Sequence, residues 1–219
     1  SRISCQEATI HDRWLRWNDG WQLSHTFMKL LFATTNQGKL KEAQQILSRF
    51  NIELLSINNF KKLRGVVVEE TGDTLKKNAF LKAKTFGDLA GVMTLAEDSG
   101  LMVDALDGRP GIHSARFGSS VNERNQRLLK EMKEEKERTA RFISVFCLYD
   151  PQTQEAQYTK GIVEGSIATE PKGELGFGYD PVFIPEGSKK TFGESGEELK
   201  NRISHRRQAI EKLKTLMLS

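Results

Sequence analysis

The run Ala33-Thr34-Thr35-Asn36-Gln37-Gly38-Lys39 follows an apolar stretch and opens a helical stripe. Hydroxyls, an amide, a glycine and a lysine at a helix start suit an anion. Free backbone N–H groups and the helix dipole face it, and Lys39 adds a full charge. It is not a Walker A loop, which needs Gly five residues before the Gly of its Gly-Lys pair; position 33 is Ala. Taken alone, the segment is equally a strand-to-helix turn capped by Thr or Asn.

Two acidic segments complement it. In Val66-Val67-Val68-Glu69-Glu70-Thr71-Gly72 an apolar strand runs into adjacent carboxylates, and strand alternation lets only one face a given cleft. In Leu95-Ala96-Glu97-Asp98-Ser99-Gly100-Leu101 acids stand at the carboxyl end of an apolar strand, where ligand sites of α/β sheets gather. One of Glu69 and Glu70, and Asp98, could offer the hard oxygens Mg²⁺ prefers. Asp98 is also suited to take a proton from water. In isolation, a solvated strand end and a charged loop account for the same residues.

Two later segments bring an aromatic ring and a cluster of donors. Gly176-Phe177-Gly178-Tyr179-Asp180-Pro181 packs two glycines, two aromatic rings and an acid into six residues, and an aromatic ring stacks on a base. A dinucleotide fingerprint fails there, because Pro181 stands where the third Gly belongs. Ile203-Ser204-His205-Arg206-Arg207 opens the last helix, with Lys200 just upstream. His205 and Arg206 together bring several donors to one point. A glycine-rich turn and a capped helix start are the plain alternatives.

The elements that must position these residues alternate. Lys29–Thr35 reads as a strand, and Leu40, Ala43 and Leu47 as a helical stripe behind it. Ile52–Ile57 is a second strand and Asp73–Phe86 a helix. Val92–Ala96 and Leu101–Leu106 read as strands around a Ser99-Gly100 turn, and Asn122–Glu137 as a charged surface helix. Arg141–Tyr149 and Gln157–Ala168 form a hairpin across Asp150-Pro151, Tyr179–Ile184 a short strand and Ser204–Leu218 a final helix. Helices between the early strands and a late hairpin predict an α/β fold with a mixed sheet.

The 219 residues, 37% hydrophobic and 28% charged, suit one domain or two small lobes. A chain this long buries roughly 70% of its unfolded surface without needing disulfides. No apolar run approaches the roughly 18 residues that span a bilayer, and no signal peptide is visible, so a cytoplasmic location is the default expectation. The net charge of +4 fits a phosphorylated substrate as well as a nucleic acid. Cys147 lies in an apolar run and is expected to be a buried thiol.

Composition breaks at Met28. Trp14, Trp17 and Trp21, all the tryptophans, precede it. With Ile10 they fall at helical spacing, which fits a docking helix; the favoured expectation is upstream sequence attached to a complete domain of residues 28–219.

Taken in order, the five segments closely resemble the inosine triphosphate pyrophosphatase family, also called XTP/dITP diphosphatases, over residues 28–219. Ser114-Ala115-Arg116-Phe117 and Lys190-Thr191-Phe192-Gly193-Glu194 are similar to family segments as well. The resemblance implies an elongated mixed β-sheet flanked by helices, with the active cleft between two lobes, and a homodimer. It implies Mg²⁺-dependent hydrolysis of ITP, dITP and XTP to the monophosphate and pyrophosphate, with neither nucleic acid nor membrane as partner. Thr34, Thr35, Asn36, Gln37, Gly38 and Lys39 would hold the triphosphate; Glu70 and Asp98 would hold Mg²⁺, with Asp98 as general base. Ser99 would contact substrate. Phe177, Gly178, Tyr179 and Asp180 would form the base and sugar pocket, and Lys200, His205 and Arg206 would complete the contacts. Two positions depart locally from the family pattern: Thr35 where Gly is common, and Glu97-Asp98 where Asp-Asp is common. The alternatives are a non-catalytic nucleotide- or RNA-binding module, and a pyrophosphatase for other modified nucleotides. The module leaves Glu70 and Asp98 unexplained, since carboxylates without metal repel phosphate.

Overall fold

A computed structural model describes residues 28–48 and 52–218. The reading of residues 1–27 lies outside the described residues. Six strands form one mixed sheet in the order β2-β1-β3-β4-β5-β6. They are β1 (Met28–Phe32), β2 (Ile52–Ser56), β3 (Thr94–Val103), β4 (Thr139–Asp150), β5 (Glu155–Ile167) and β6 (Phe183–Pro185). β1 pairs parallel with β2 and β3, and the remaining neighbours are antiparallel. Among the described residues five α-helices flank them: α1 (Gln37–Leu47), α2 (Leu75–Ala90), α3 (Val121–Glu131), α4 (Phe192–Ile203) and α5 (His205–Leu218). The mixed α/β expectation holds.

Helix starts follow local chemistry. The side chains of Asn36, Thr74 and Ser120 each accept from a backbone N–H three residues on, and Thr191 with Glu194 forms a reciprocal capping box.

Strands β3 to β5 are long enough to carry two cores end to end. On one face, Leu95 of β3 and Phe146 and Leu148 of β4 meet α1 and α5. Further along that face, Leu101, Val103, Ala140 and Phe142 meet α3, Phe183 and Phe192. The opposite face buries Ala96, Cys147 and Tyr149 under α2. Between the two cores of the first face lies a buried polar belt that includes Glu97, Ser144, Glu42, Arg206, Lys200 and Asp180. Polar side chains so deep must be paired, and these pair with one another: Ser144 and Arg206 with Glu97, Arg206 with Glu42, and Lys200 with Asp180.

Several expectations change. Val66–Val68 joins no ladder among the described residues: Val66 and Val68 lean on the α2-side core while Val67 is exposed. β3 is continuous through Ser99 and Gly100, which face Ser144 and Ile143 of β4. Gly100 marks a close approach rather than a turn, since a Cβ there would strike the Gly111 carbonyl. The Tyr179–Ile184 strand is a 3₁₀ turn, Asp180–Val182, followed by β6. Helix α4 was not anticipated. Gly193 and Gly196 obscure its periodicity, and Gly196 is non-helical and kinks it.

Candidate active site

Chain order delivers the anion-binding segment first. β1 ends at Phe32, Ala33 N–H still bonds Leu95 O at 2.8 Å, and the chain turns into α1. Thr34 Oγ1 accepts from Asn36 N–H at 3.2 Å, and Asn36 Oδ1 from Lys39 N–H at 3.1 Å. Thr35, Asn36 and Gln37 are exposed, while Thr34, Gly38 and Lys39 are half-buried. Burial penalises the Lys39 charge and draws its pKa down, an effect that Lys82 and Arg206 reinforce while Glu97 and Asp98 oppose it. Lys39 therefore senses both sets of charges described next.

The first set is acidic. Glu70 is half-buried and Glu69 exposed, at a turn in which Thr71 N–H donates to Glu69 O at 3.0 Å. The turn carrying Glu70 is pinned by the buried Asn78 of α2, whose Oδ1 accepts from Gly72 N–H at 2.8 Å. Lys82, also on α2, bridges Glu70 Oε1 at 2.6 Å and Asp98 Oδ1 at 3.1 Å. Arg116 donates to the Glu70 carbonyl and to its Oε2, both at 3.4 Å. An open depression of about 390 Å³ lies there, lined by Val68, Glu69, Glu70, Thr71 and Arg116. Asp98 is buried and its Oδ2 has no hydrogen-bond partner. Burial raises the Asp98 pKa despite Lys82 and Lys39; at Glu70, burial is overcome by Lys82 and the pKa falls.

These residues fit a divalent cation. Among the described residues no group of three or more His, Cys, Asp or Glu converges, but Mg²⁺ binds through one or two carboxylates plus substrate phosphates. The orphan Asp98 Oδ2 is an acceptor that a cation or its bound water satisfies.

The second set lies across β3. Successive strand residues point to opposite faces, so Glu97 and Asp98 diverge. Glu97 accepts from Ser144 Oγ and binds Arg206 through two hydrogen bonds. Arg206 also donates from Nη1 to Glu42 Oε2 at 2.5 Å. Lys200 donates to Asp180 Oδ2 at 2.5 Å and lies 4.0 Å from the Phe177 ring centroid. Phe177 sits on Gly38, where a Cβ would come within 2.6 Å of the ring. His205 is buried and stacked on Phe142 at 4.8 Å, with Nδ1 unpartnered. Burial and then Arg206 push its pKa well below the ordinary value, so the imidazole is neutral.

Lys39, Phe177, Lys200 and Arg206 thus converge, as do Glu70 and Asp98, and Ser99 is half-buried opposite Ser144. Two residues do something else. Tyr179 is in the core, its hydroxyl bonded to Ser114 O at 2.9 Å. Asp180 is buried and anchors its own loop, taking Phe177 N–H at 2.7 Å; Gly178 O is held by Asn125 at 3.2 Å. Sequence reasoning missed Lys82, Arg116 and Glu42. Two of them left a signal: Arg116 stands in the segment 114–117 that resembles the family, and Glu42 is a charged residue among the buried positions Ala43, Ile46 and Leu47 of α1.

A family model described as Ham1 family matches residues 30–216. The dITP/XTP pyrophosphatase of Aquifex aeolicus is 41% identical over 198 residues, covering 85% of this chain and 95% of that protein. The protein of the same name from Elusimicrobium minutum is 44% identical over 195 residues, covering 85% and 98%. Among solved structures, a HAM1 protein from Coxiella burnetii matches with a TM-score of 0.78 at 34% identity, covering 87% of this chain and 98% of that one. The Staphylococcus aureus Ham1 protein matches at 0.77 and 35%, with the same coverage.

Proposed function

The chain belongs to the Ham1 family, and we propose that it hydrolyses the non-standard purine nucleoside triphosphates ITP, dITP and XTP to the monophosphate and pyrophosphate. Relatives named dITP/XTP pyrophosphatase support the reaction. The observation that carries it for this chain is the divergence of Glu97 and Asp98 on β3. One strand serves a carboxylate cleft on one face and a cluster of cations beside an aromatic ring on the other.

In this reading the start of α1, Thr34 to Lys39, receives the triphosphate, and Lys82 and Arg116 add positive charge beside it. Glu70 and Asp98 would hold Mg²⁺, which when bound offsets phosphate charge and supplies Lewis-acid assistance. Asp98 takes a proton from the attacking water, and the unpartnered Oδ2 is the available acceptor. Ser99 contacts substrate. Cleavage falls between the α and β phosphates, so pyrophosphate leaves.

On the base side Phe177 stacks on the purine. Lys200, His205 and Arg206 present donors to the carbonyl at purine position 6. Three of the five Arg206 donors are already spent on Glu97 and Glu42, leaving two. Adenine carries an amine at that position and leaves those donors unpaired, a mismatch that discriminates by about 10⁴ or more. Residues 28–219 form the catalytic domain of a homodimer acting in the cytoplasm; light scattering checks the dimer.

Turnover of ITP with Mg²⁺ and with a chelator in its place tests the reading. Metal-dependent release of pyrophosphate is expected; tight ITP binding without turnover would leave only a binding module.

A further inference from the structure

Helix α1 touches both halves of this site, and the residue that joins them is Glu42. Its carboxylate is buried at 5% exposure on a helix whose neighbouring buried positions are apolar. Oε1 accepts from Ser204 Oγ at 2.8 Å; Oε2 accepts from Arg206 Nη1 at 2.5 Å and pairs with Lys200 Nζ at 3.6 Å. Residues three and four apart share a helix face, so Glu42 stands one turn above Lys39 and Gly38. Gly38 is the seat of Phe177, and Phe177 in turn lies beside Lys200 and Arg206, at 4.0 and 5.6 Å from the ring centroid. A single helix therefore carries the phosphate-facing end, the seat of the aromatic ring and the carboxylate that grips both cations.

We propose that Glu42 is a positioning residue that fixes Lys200 and Arg206 relative to α1, so that a correctly held purine sets its triphosphate in register with the anion site. The inference rests on the reading that Lys200 and Arg206 face the base. A buried charge pair that loses one member leaves the other uncompensated. Without the Glu42 charge, Arg206 keeps only Glu97 and Lys200 keeps only Asp180. Each cation is then held from one side, and donors set to meet a carbonyl lose their aim. Alignment of this kind is what converts binding into productive geometry.

Equilibrium binding tests the role independently of turnover, using IMP, AMP and inorganic tripolyphosphate with Mg²⁺. Glu42→Gln is expected to reduce the preference for IMP over AMP by about tenfold or more. Its affinity for tripolyphosphate is expected to stay within about twofold of wild type. Ser204→Ala frees Oε1 while leaving Oε2 on Arg206, and it also removes the hydroxyl that accepts from Arg207 N–H at 3.1 Å; it should reduce the same preference by a smaller factor, about two- to threefold, and it carries the test if Glu42→Gln does not fold. An unchanged IMP preference in the variant that folds overturns the proposal. So does equal weakening of IMP and tripolyphosphate, the signature of a merely structural role, or equal binding of IMP and AMP by wild type. Failure of wild type to hydrolyse ITP is a different result, and it counts against the proposed function instead.

Discussion

Arg206 and Glu97 meet through two parallel hydrogen bonds, Nε to Oε2 at 2.9 Å and Nη2 to Oε1 at 2.8 Å, both side chains fully buried. The pair ties the first turn of α5 to the middle of β3, one residue from Asp98. Burial opposes the Glu97 charge, but Arg206, then Lys39, hold its carboxyl far below the ordinary 4.5. A carboxylate depressed in the folded state contributes stability that is present above its unfolded pKa and lost as pH falls. Glu97→Gln should cost about 3 kcal/mol at neutral pH. It should also shallow the loss of stability below about pH 4.5. Urea unfolding across a pH series measures both; parallel wild-type and variant curves would show that the pair contributes no such linkage.

Asp98→Asn removes the proton acceptor while keeping the side-chain shape. Its kcat for ITP should fall by about 10²–10⁴-fold, the usual worth of a positioned general base, or more where a metal ligand is weakened too. Glu70→Gln should instead shift the Mg²⁺ titration to higher concentration. Steady-state kinetics over a range of Mg²⁺ separates the two effects. Near-normal turnover by Asp98→Asn sinks its assignment as base.

Gly38→Ala puts a methyl group 2.6 Å from Phe177 Cδ1, closer than two carbons can approach, so the ring must move. Phe177 is only half-buried, so it can swing without disrupting a core. KM for ITP should rise by about tenfold with little change in Tm. The double variant Gly38→Ala with Phe177→Ala should be no worse than Phe177→Ala alone, since both act through one ring. Additive losses would mean that Gly38 acts on the phosphates only.

Lys82 holds Glu70 and Asp98 together. Lys82→Met leaves two neighbouring carboxylates without their shared cation, which should cost about 1–3 kcal/mol in metal-free buffer. Mg²⁺ added without nucleotide should restore part of the loss, because a cation that binds the folded state stabilises it. Denaturation with and without Mg²⁺ reads this directly; a loss untouched by Mg²⁺ would place the cation elsewhere.

Legibility of the sequence varied with the kind of signal. The start of α1 was plain, because Asn36 caps it and the stripe begins at Leu40. The long strands were plain too, except where Gly100 imitated a turn while serving a close backbone approach. The Val66–Val68 run has strand composition but no strand partner among the described residues, and composition alone says nothing of partners. Within the site, Glu70, Asp98, Phe177, Lys200 and Arg206 are legible as residue types in ordered segments. That Asp180 and Tyr179 turn inward, and that Lys82 and Arg116 flank Glu70, depends on contacts between residues far apart in the chain. No local pattern encodes those contacts.

The most direct measurement is phosphorus NMR of the purified protein incubated with Mg²⁺ and, separately, ITP, XTP and ATP. The proposed chemistry predicts monophosphate and pyrophosphate signals from ITP and XTP, no orthophosphate, and ATP left intact on the same time scale. Orthophosphate with a diphosphate product, or ATP cleaved as fast as ITP, would contradict it.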